Sequence, residues 1–247
     1  MRTAAAADYL SPSQAGKLRG LLGFTLMPVM WRFGRAATQP LSERQFASRG
    51  PFLWSYPLRM MHSFFERTLP DLPSLTVPMV AKRMRPVLLY TDAAFFLRRG
   101  EKVLTIGFYF LDPVTGAEKW GFSELPHRFY RHFAPGKKTY ILQGELLAVV
   151  AAFCTCGDED FAGRAVYVFI DNIGALSCVV HGYARRPDCA AMVNSYHEKV
   201  RALRCFPWHE WIPSKLNIGD WASRPDKHYQ PHPRNGGAGA YCFSACR

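Results

Sequence analysis

The stretch Arg164–Val179, RAVYVFIDNIGALSCV, decides how the chain folds. From Ala165 to Ile170 it is a run of β-branched and aromatic residues, apolar on both faces, which is the pattern of a central strand with parallel neighbours. The run ends on a carboxylate, Asp171, followed by Asn172, and a short helix is expected from Ile173. A charge at the end of a buried strand is costly unless it is paired or holds a cation.

Upstream, short β-rich runs predict three more strands. PVLLYTDAAFFL (86–97) and KVLTIGFYFLD (102–112) flank the turn-prone RRGE, and EKWGFSEL (118–125) follows the turn DPVTG. TYILQGELLAVVAAFCTC (139–156) then reads as a helix with Leu142, Leu146, Val149, Val150 and Phe153 on one face. Downstream come a longer helix from Asp188 to about Leu203, a strand in PWHEWIP (207–213) and a closing helix near GDWASR (219–224). The order is βββαβαβα, an α/β fold over residues 79–225.

Residues 1–78 differ in period and read as a small helical region. LSPSQAGKLRGLLGF (10–24) starts a helix with Ser11 as N-cap, Pro12 at the first helical position and Gln14 closing a capping box. MWRFGRAATQPLSERQFA (30–47) and YPLRMMHSFFERTL (56–69) are two further helical stretches, and the proline-punctuated PDLPSLTVP (70–78) connects them to the rest. Residues 226–247, rich in Pro, Gly and His, are expected to form a flexible tail.

Composition narrows the function. The 247 residues are long enough to bury a sizeable core, and 31 Lys plus Arg against 19 Asp plus Glu give a formal charge of +12. That excess favours a polyanionic partner, nucleic acid before a lipid surface, because no apolar run approaches the length of about 18 residues that spans a bilayer. Seven cysteines, with no paired CxxC spacing, indicate neither a zinc module nor a disulfide framework and suggest a reducing, intracellular setting, nucleus or cytoplasm. The His-Glu pairs in YHEKV and WHEW do not extend to HExxH, and no serine sits in a GxSxG elbow, which argues against a zinc protease and a serine hydrolase.

Four acids stand where solubility does not explain them. Asp92 lies inside the first strand, Glu145 beside the apolar stripe of the 139–156 helix, Asp171 at the end of the fourth strand and Asp220 at the start of the last helix. Singly, each has an ordinary explanation: an ion pair, a turn at Asp171, a helix cap at Asp220. Together, in this order of elements, the ends of two central strands and the adjoining helices can bring four carboxylates to one point. Oxygen-only clusters of that kind suit Mg²⁺ or Mn²⁺, and two such ions serve in-line displacement at phosphorus.

These landmarks, YTDAA (90–94), QGELLAV (143–149), VFIDNIGAL (168–176) and WIPSKLNIGDWASR (211–224), resemble the RNase H domain of retroelement reverse transcriptases, and the last string is similar to the terminal RNase H motif of the DIRS-like group. SQAGKLRGLLGF and FGRAATQPLSERQ resemble the thumb and connection helices that precede that domain. The resemblance spans about residues 11–225 and implies an RNase H-like mixed five-stranded sheet flanked by helices. It also implies a metal-dependent endonuclease, using two Mg²⁺ or Mn²⁺ ions, that hydrolyses the RNA strand of an RNA–DNA hybrid.

By the same resemblance Asp92 would bridge both ions, Glu145 and Asp171 would hold the ion nearer the leaving group and Asp220 the ion that activates water. Asn172, Asn217 and Arg224 would shape the substrate edge. The polymerase palm has no counterpart, so a separate polymerase domain is the expected associate of a monomeric retroelement remnant. Lys215 and Asn217 stand where cellular RNases H carry a histidine. The rival expectation is a catalytically silent nucleic-acid-binding module of the same fold. Its contacts would come from HRFYRHFAPGKKTY (127–140), where Arg128, Arg131, Lys137 and Lys138 alternate with aromatics that serve equally as core or as stacking surface.

Overall fold

A computed structural model describes residues 2–26, 32–72, 85–133, 139–224 and 240–242. The N-terminal region holds helices α1 (Arg2–Ala6), α2 (Pro12–Leu26), α3 (Gln39–Gln45) and α4 (Tyr56–Thr68). The capping box at α2 is present as expected: the Ser11 amide donates to Gln14 Oε1 at 2.9 Å and the Gln14 amide to Ser11 Oγ at 3.2 Å. The helical stretch expected over 30–47 is shorter than its pattern. A positive φ of 73° at Gly34 ends one turn, a single 3-10 turn covers Ala36–Thr38, and α3 starts at Gln39 with Pro40 in its first turn.

The α/β part comprises β1 (Val87–Arg98), β2 (Glu101–Leu111), β3 (Glu118–Glu124), a 3-10 turn His127–His132, α5 (Ile141–Thr155), α6 (Asp158–Phe161), β4 (Ala165–Ile170), α7 (Ile173–His181), α8 (Pro187–Leu203), β5 (Phe206–Trp211) and α9 (Gly219–Ser223). The sheet order β5-β4-β1-β2-β3 is mixed: β1–β2–β3 is an antiparallel meander, while β4 and β5 join parallel to β1. A sixth, short strand, β6 (Ala240–Cys242), pairs parallel with β3, so that part of the expected tail belongs to the sheet. The rest of the tail and most of the 70–78 connector lie outside the described residues.

One sheet face carries the main core, in which Leu89, Val166, Val168 and Ile170 pack with α5 and α8 through Val149, Phe153, Val193 and Tyr196. Among the described residues the other face is covered mainly by α9, over β1, β2 and β3. Consequently β4 is buried on one face, and Tyr167 on the other is 39 % exposed, which corrects the expectation of a strand buried on both. The helical region packs on the edge of α8, with the Arg201 guanidinium 5.0 Å over the Phe33 ring and Gln39 Nε2 donating to Arg185 O at 3.1 Å.

Gly144 sets how closely α5 approaches the sheet. A Cβ there would sit 2.7 Å from Leu104 Cδ1 and 2.9 Å from Ala93 Cβ. Helix propensity alone makes Gly144→Ala stabilising by about 1 kcal/mol. The overlap reverses that sign, and we expect the variant to lose about 1–2 kcal/mol in urea unfolding, within the range of overpacked cores.

Candidate active site

Burial along β1 alternates as far as Tyr90 and then stops alternating: Thr91, Asp92, Ala93 and Ala94 are all buried, because α5 covers one face here and α9 the other. Strand β4 ends at Ile170, paired with Thr91, while β1 runs on to Arg98. The next residue on each strand, Asp92 and Asp171, therefore lie side by side just past the last ladder pair. Among the described residues no strand pairs with β1 beyond that point on its β4 side. Glu145 of α5 enters the gap, and its Oε1 accepts from the Ala93 amide at 3.4 Å.

Asp92, Glu145 and Asp171 offer carboxylate oxygens that all lie within 4.8 Å of one another. Asp92 and Glu145 are each 2 % exposed, so Glu145 is deeper than its expected place at the core edge. Burial pushes the Asp92 carboxyl up to about 7, helped by the nearby charges of Asp171 and Asp220 and opposed by a hydrogen bond from Ser223. Burial also drives Glu145 well above the usual carboxylate range, with Asp92 and Asp171 adding to the effect. Glu145 Oε2 is buried without a hydrogen-bond partner. Three crowded carboxylates with an orphaned oxygen, supplied only by hard oxygen donors, fit a divalent cation of the Mg²⁺ or Mn²⁺ type.

Asp220 is not among the three. It lies in the first turn of α9 and pairs with Arg224, one turn on, at 2.8 Å. It is near enough to raise the Asp92 carboxyl, and Arg224 near enough to lower both Asp92 and Glu145. Asn172 caps α7, its Oδ1 accepting from the Ala175 amide at 3.0 Å. Asn217 is buried and anchors the loop before α9: its Nδ2 donates to Thr91 O at 2.9 Å and its Oδ1 accepts from the Gly219 amide at 3.0 Å. That placement accounts for loop shape and turns the side chain away from solvent.

Arg128 and Arg131 are exposed on the 3-10 turn 127–132. Tyr130 between them fastens that turn to β2, its hydroxyl accepting from the Leu104 amide at 2.9 Å and donating to Lys102 O at 3.1 Å. Tyr130, Phe133 and Tyr140 pack together, so these aromatics are core and the arginines are surface. Lys137 and Lys138 lie outside the described residues.

Sequence reasoning missed three parts of the site. The Asp220–Arg224 pair was legible as an i,i+4 spacing. The Trp211 indole donates to Asp171 O at 3.0 Å and fixes the end of β4, and the Ser223 hydroxyl donates to Asp92 Oδ2; both residues stand in the string WIPSKLNIGDWASR, but nothing local names these partners. Elsewhere, burial raises the Cys156, Cys189 and Cys205 thiols to about 12, which suits inert core positions. No helix among the described residues is long and apolar enough to cross a membrane.

No family model and no curated protein matches the chain. Solved structures similar to it include the RNase H1 of the archaeon Halobacterium salinarum NRC-1, at 17 % identity and TM-score 0.42, covering 57 % of this chain and 98 % of that one. The N-terminal RNase H domain of a Mycobacterium tuberculosis protein, crystallised as a fusion with maltose-binding protein, follows at 15 % and 0.41, covering 56 % and 88 %. LC11-RNase H1, solved in complex with an RNA/DNA hybrid, is similar at 15 % and 0.40, covering 57 % and 97 %. By its own strand order and helix placement the α/β part has an RNase H-like fold, a mixed five-stranded core sheet flanked by helices.

The raised carboxyls make stability pH-dependent. A carboxyl at about 7 in the fold against an ordinary value of 3.8 favours the neutral form, so its stabilising effect is full below pH 4 and is lost as pH rises through 7. Without added metal, Asp92→Asn should unfold several degrees above the parent at pH 8, and the gap should close by pH 4 in thermal melts.

Proposed function

We propose that the protein is a metal-dependent endonuclease that cuts the RNA strand of RNA–DNA hybrids. The observation that carries this reading is the convergence of Asp92, Glu145 and Asp171 at the point where β4 ends beside β1. The +12 charge fits a polyanionic substrate, and the sequence strings around the acids support an origin in a DIRS-like retroelement reverse transcriptase.

Asp92, Glu145 and Asp171 would hold the cations, with Asp220 completing the set once it exchanges its Arg224 partner. A divalent cation held there would supply activation of water and neutralisation of the charge that develops in phosphodiester hydrolysis. The chain's own groups hold the acids in place. Ala93 N–H orients Glu145, Trp211 holds the turn after β4, and Asn217 fastens the loop that carries Asp220. Arg128 and Arg131, fixed on their turn by Tyr130, would contact phosphates, with Lys137 and Lys138 expected to add to them. Asn172, with its Oδ1 engaged in capping, has its amide NH₂ left for the substrate edge. Arg224 would take up substrate phosphate when it leaves Asp220.

Incubation of the purified chain with a labelled hybrid should give cleavage in Mg²⁺ or Mn²⁺ and none in EDTA. Asp92→Asn and Glu145→Gln should each lower the rate by about two orders of magnitude or more. Cleavage that persists undiminished in both variants refutes the assignment.

The pairing of Asp220 with Arg224 favours a second reading, a module that holds hybrid without turning it over. In that case no metal condition yields cleavage, yet binding still falls steeply with salt. On either reading, removing both Arg128 and Arg131 should lower the slope of log affinity against log salt by about 2, measured by fluorescence anisotropy.

A further inference from the structure

One hydroxyl at the centre of the site has no role in the function described so far. Ser223, the last residue of α9, is fully buried and donates its hydroxyl to Asp92 Oδ2. A carboxylate turns easily about its Cβ–Cγ bond, since such torsions have broad, two-fold profiles, and nothing intrinsic to Asp92 fixes the plane of its oxygens. We propose that Ser223 is a positioning residue for the cation site: its hydroxyl fixes the rotation of the Asp92 carboxylate, so that Asp92 meets Glu145 and Asp171 at a common point. The proposal rests on the metal-dependent reading of that site.

The surroundings place this hydroxyl with care. On β2 the residue in register with Asp92 is Gly107, and a Cβ there would overlap the Ser223 amide nitrogen and the Ala222 carbonyl carbon. Any side chain at 107 would push α9 off the sheet and take the hydroxyl out of reach. On the loop side, Asn217 bonds to the carbonyl of Thr91, the residue just before Asp92, and to the amide of Gly219, the first residue of α9. On the outer side the Trp221 ring meets Trp120 of β3 edge-on, with centroids 5.1 Å apart. Gly107, Asn217 and Trp120 thus hold α9, and with it Ser223, against the sheet. A space-filler at that position needs no oxygen: the neighbouring Ala222 is equally buried with none.

The test is Mn²⁺ binding to the full chain by calorimetry, alongside the Mg²⁺ dependence of hybrid cleavage, for the parent, Ser223→Ala and Ser223→Thr. Loss of a group that orients a metal ligand costs about 10–100-fold in metal affinity. Ser223→Ala should therefore bind Mn²⁺ that much more weakly and need correspondingly more Mg²⁺ for half-maximal cleavage, with a rate at saturating metal close to the parent's. Ser223→Thr, which keeps the hydroxyl, should bind as the parent does. Melting of Ser223→Ala without metal should stay within a few degrees of the parent, separating orientation from folding. Equal Mn²⁺ affinity in the parent and Ser223→Ala overturns the proposal while leaving the nuclease reading intact. A parent that neither binds Mn²⁺ nor cleaves overturns both.

Discussion

Everything about the site depends on one mismatch of length: β4 stops at Ile170 and β1 continues to Arg98. A parallel partner would have used the backbone donors of β1 beyond Thr91. Its absence leaves the Ala93 amide to a side chain, and the side chain that answers is Glu145. The same ending frees Asp171 from the ladder and sets it beside Asp92. A buried hydrogen-bond donor must find an acceptor, so the backbone requirement and the clustering of acids are one event. Gly144, adjacent to Glu145, then lets α5 come close enough for the bond to form.

The cluster opposes folding by itself. Two carboxyls held far above their ordinary values by burial show that the fold accepts neutral acids more readily than charged ones here. Natural chains do not keep such groups for stability, since a well-packed apolar core serves that end better. The arrangement is coherent when a cation supplies the missing charge. Arg224, which bears on both Asp92 and Glu145 while it pairs with Asp220, supplies part of it from within the chain.

Much of this was legible in the sequence. The succession of strands and helices along the chain followed from period and turn residues, the mixed sheet from the resemblance alone, and Asp92, Glu145 and Asp171 were each conspicuous as an acid among apolar neighbours. That signal works because a charge inside a hydrophobic run violates the local pattern, and such violations gather at functional sites. The parts that escaped obey their local pattern. Ser223 sits in a short helix where serine is unremarkable, Gly107 in a strand where one glycine suggests only a bulge or a close approach, and Trp211 in an edge strand. Their roles exist only across distant contacts: 131 residues separate Ser223 from Asp92. The open face of β4 was misjudged for a similar reason, since Tyr167 and Phe169 read as core unless the shortness of α9 is known. Phe169 is instead stacked on Tyr90 at 4.6 Å across the two strands, which shelters apolar surface without a covering helix.

Net charge and site charge point in opposite directions, and the structure divides them in space. The chain carries +12, yet among the described residues the most deeply buried of the Asp, Glu, Lys and Arg side chains are two acids, Asp92 and Glu145. A polyanion drawn by the overall field would be repelled at the point of contact if all three carboxylates were ionised there. Two features reduce that conflict. Burial favours the neutral forms of Asp92 and Glu145, and the basic side chains Arg128 and Arg131 stand on a separate turn that Tyr130 pins to the far reach of the β1–β2 hairpin. The acids and the exposed arginines thereby stand on different elements of one α/β unit. The hairpin that carries Asp92 also carries the turn's anchor points at Lys102 and Leu104, so the distance between the basic turn and the acids is set by strand geometry, at roughly 3.3 Å per residue.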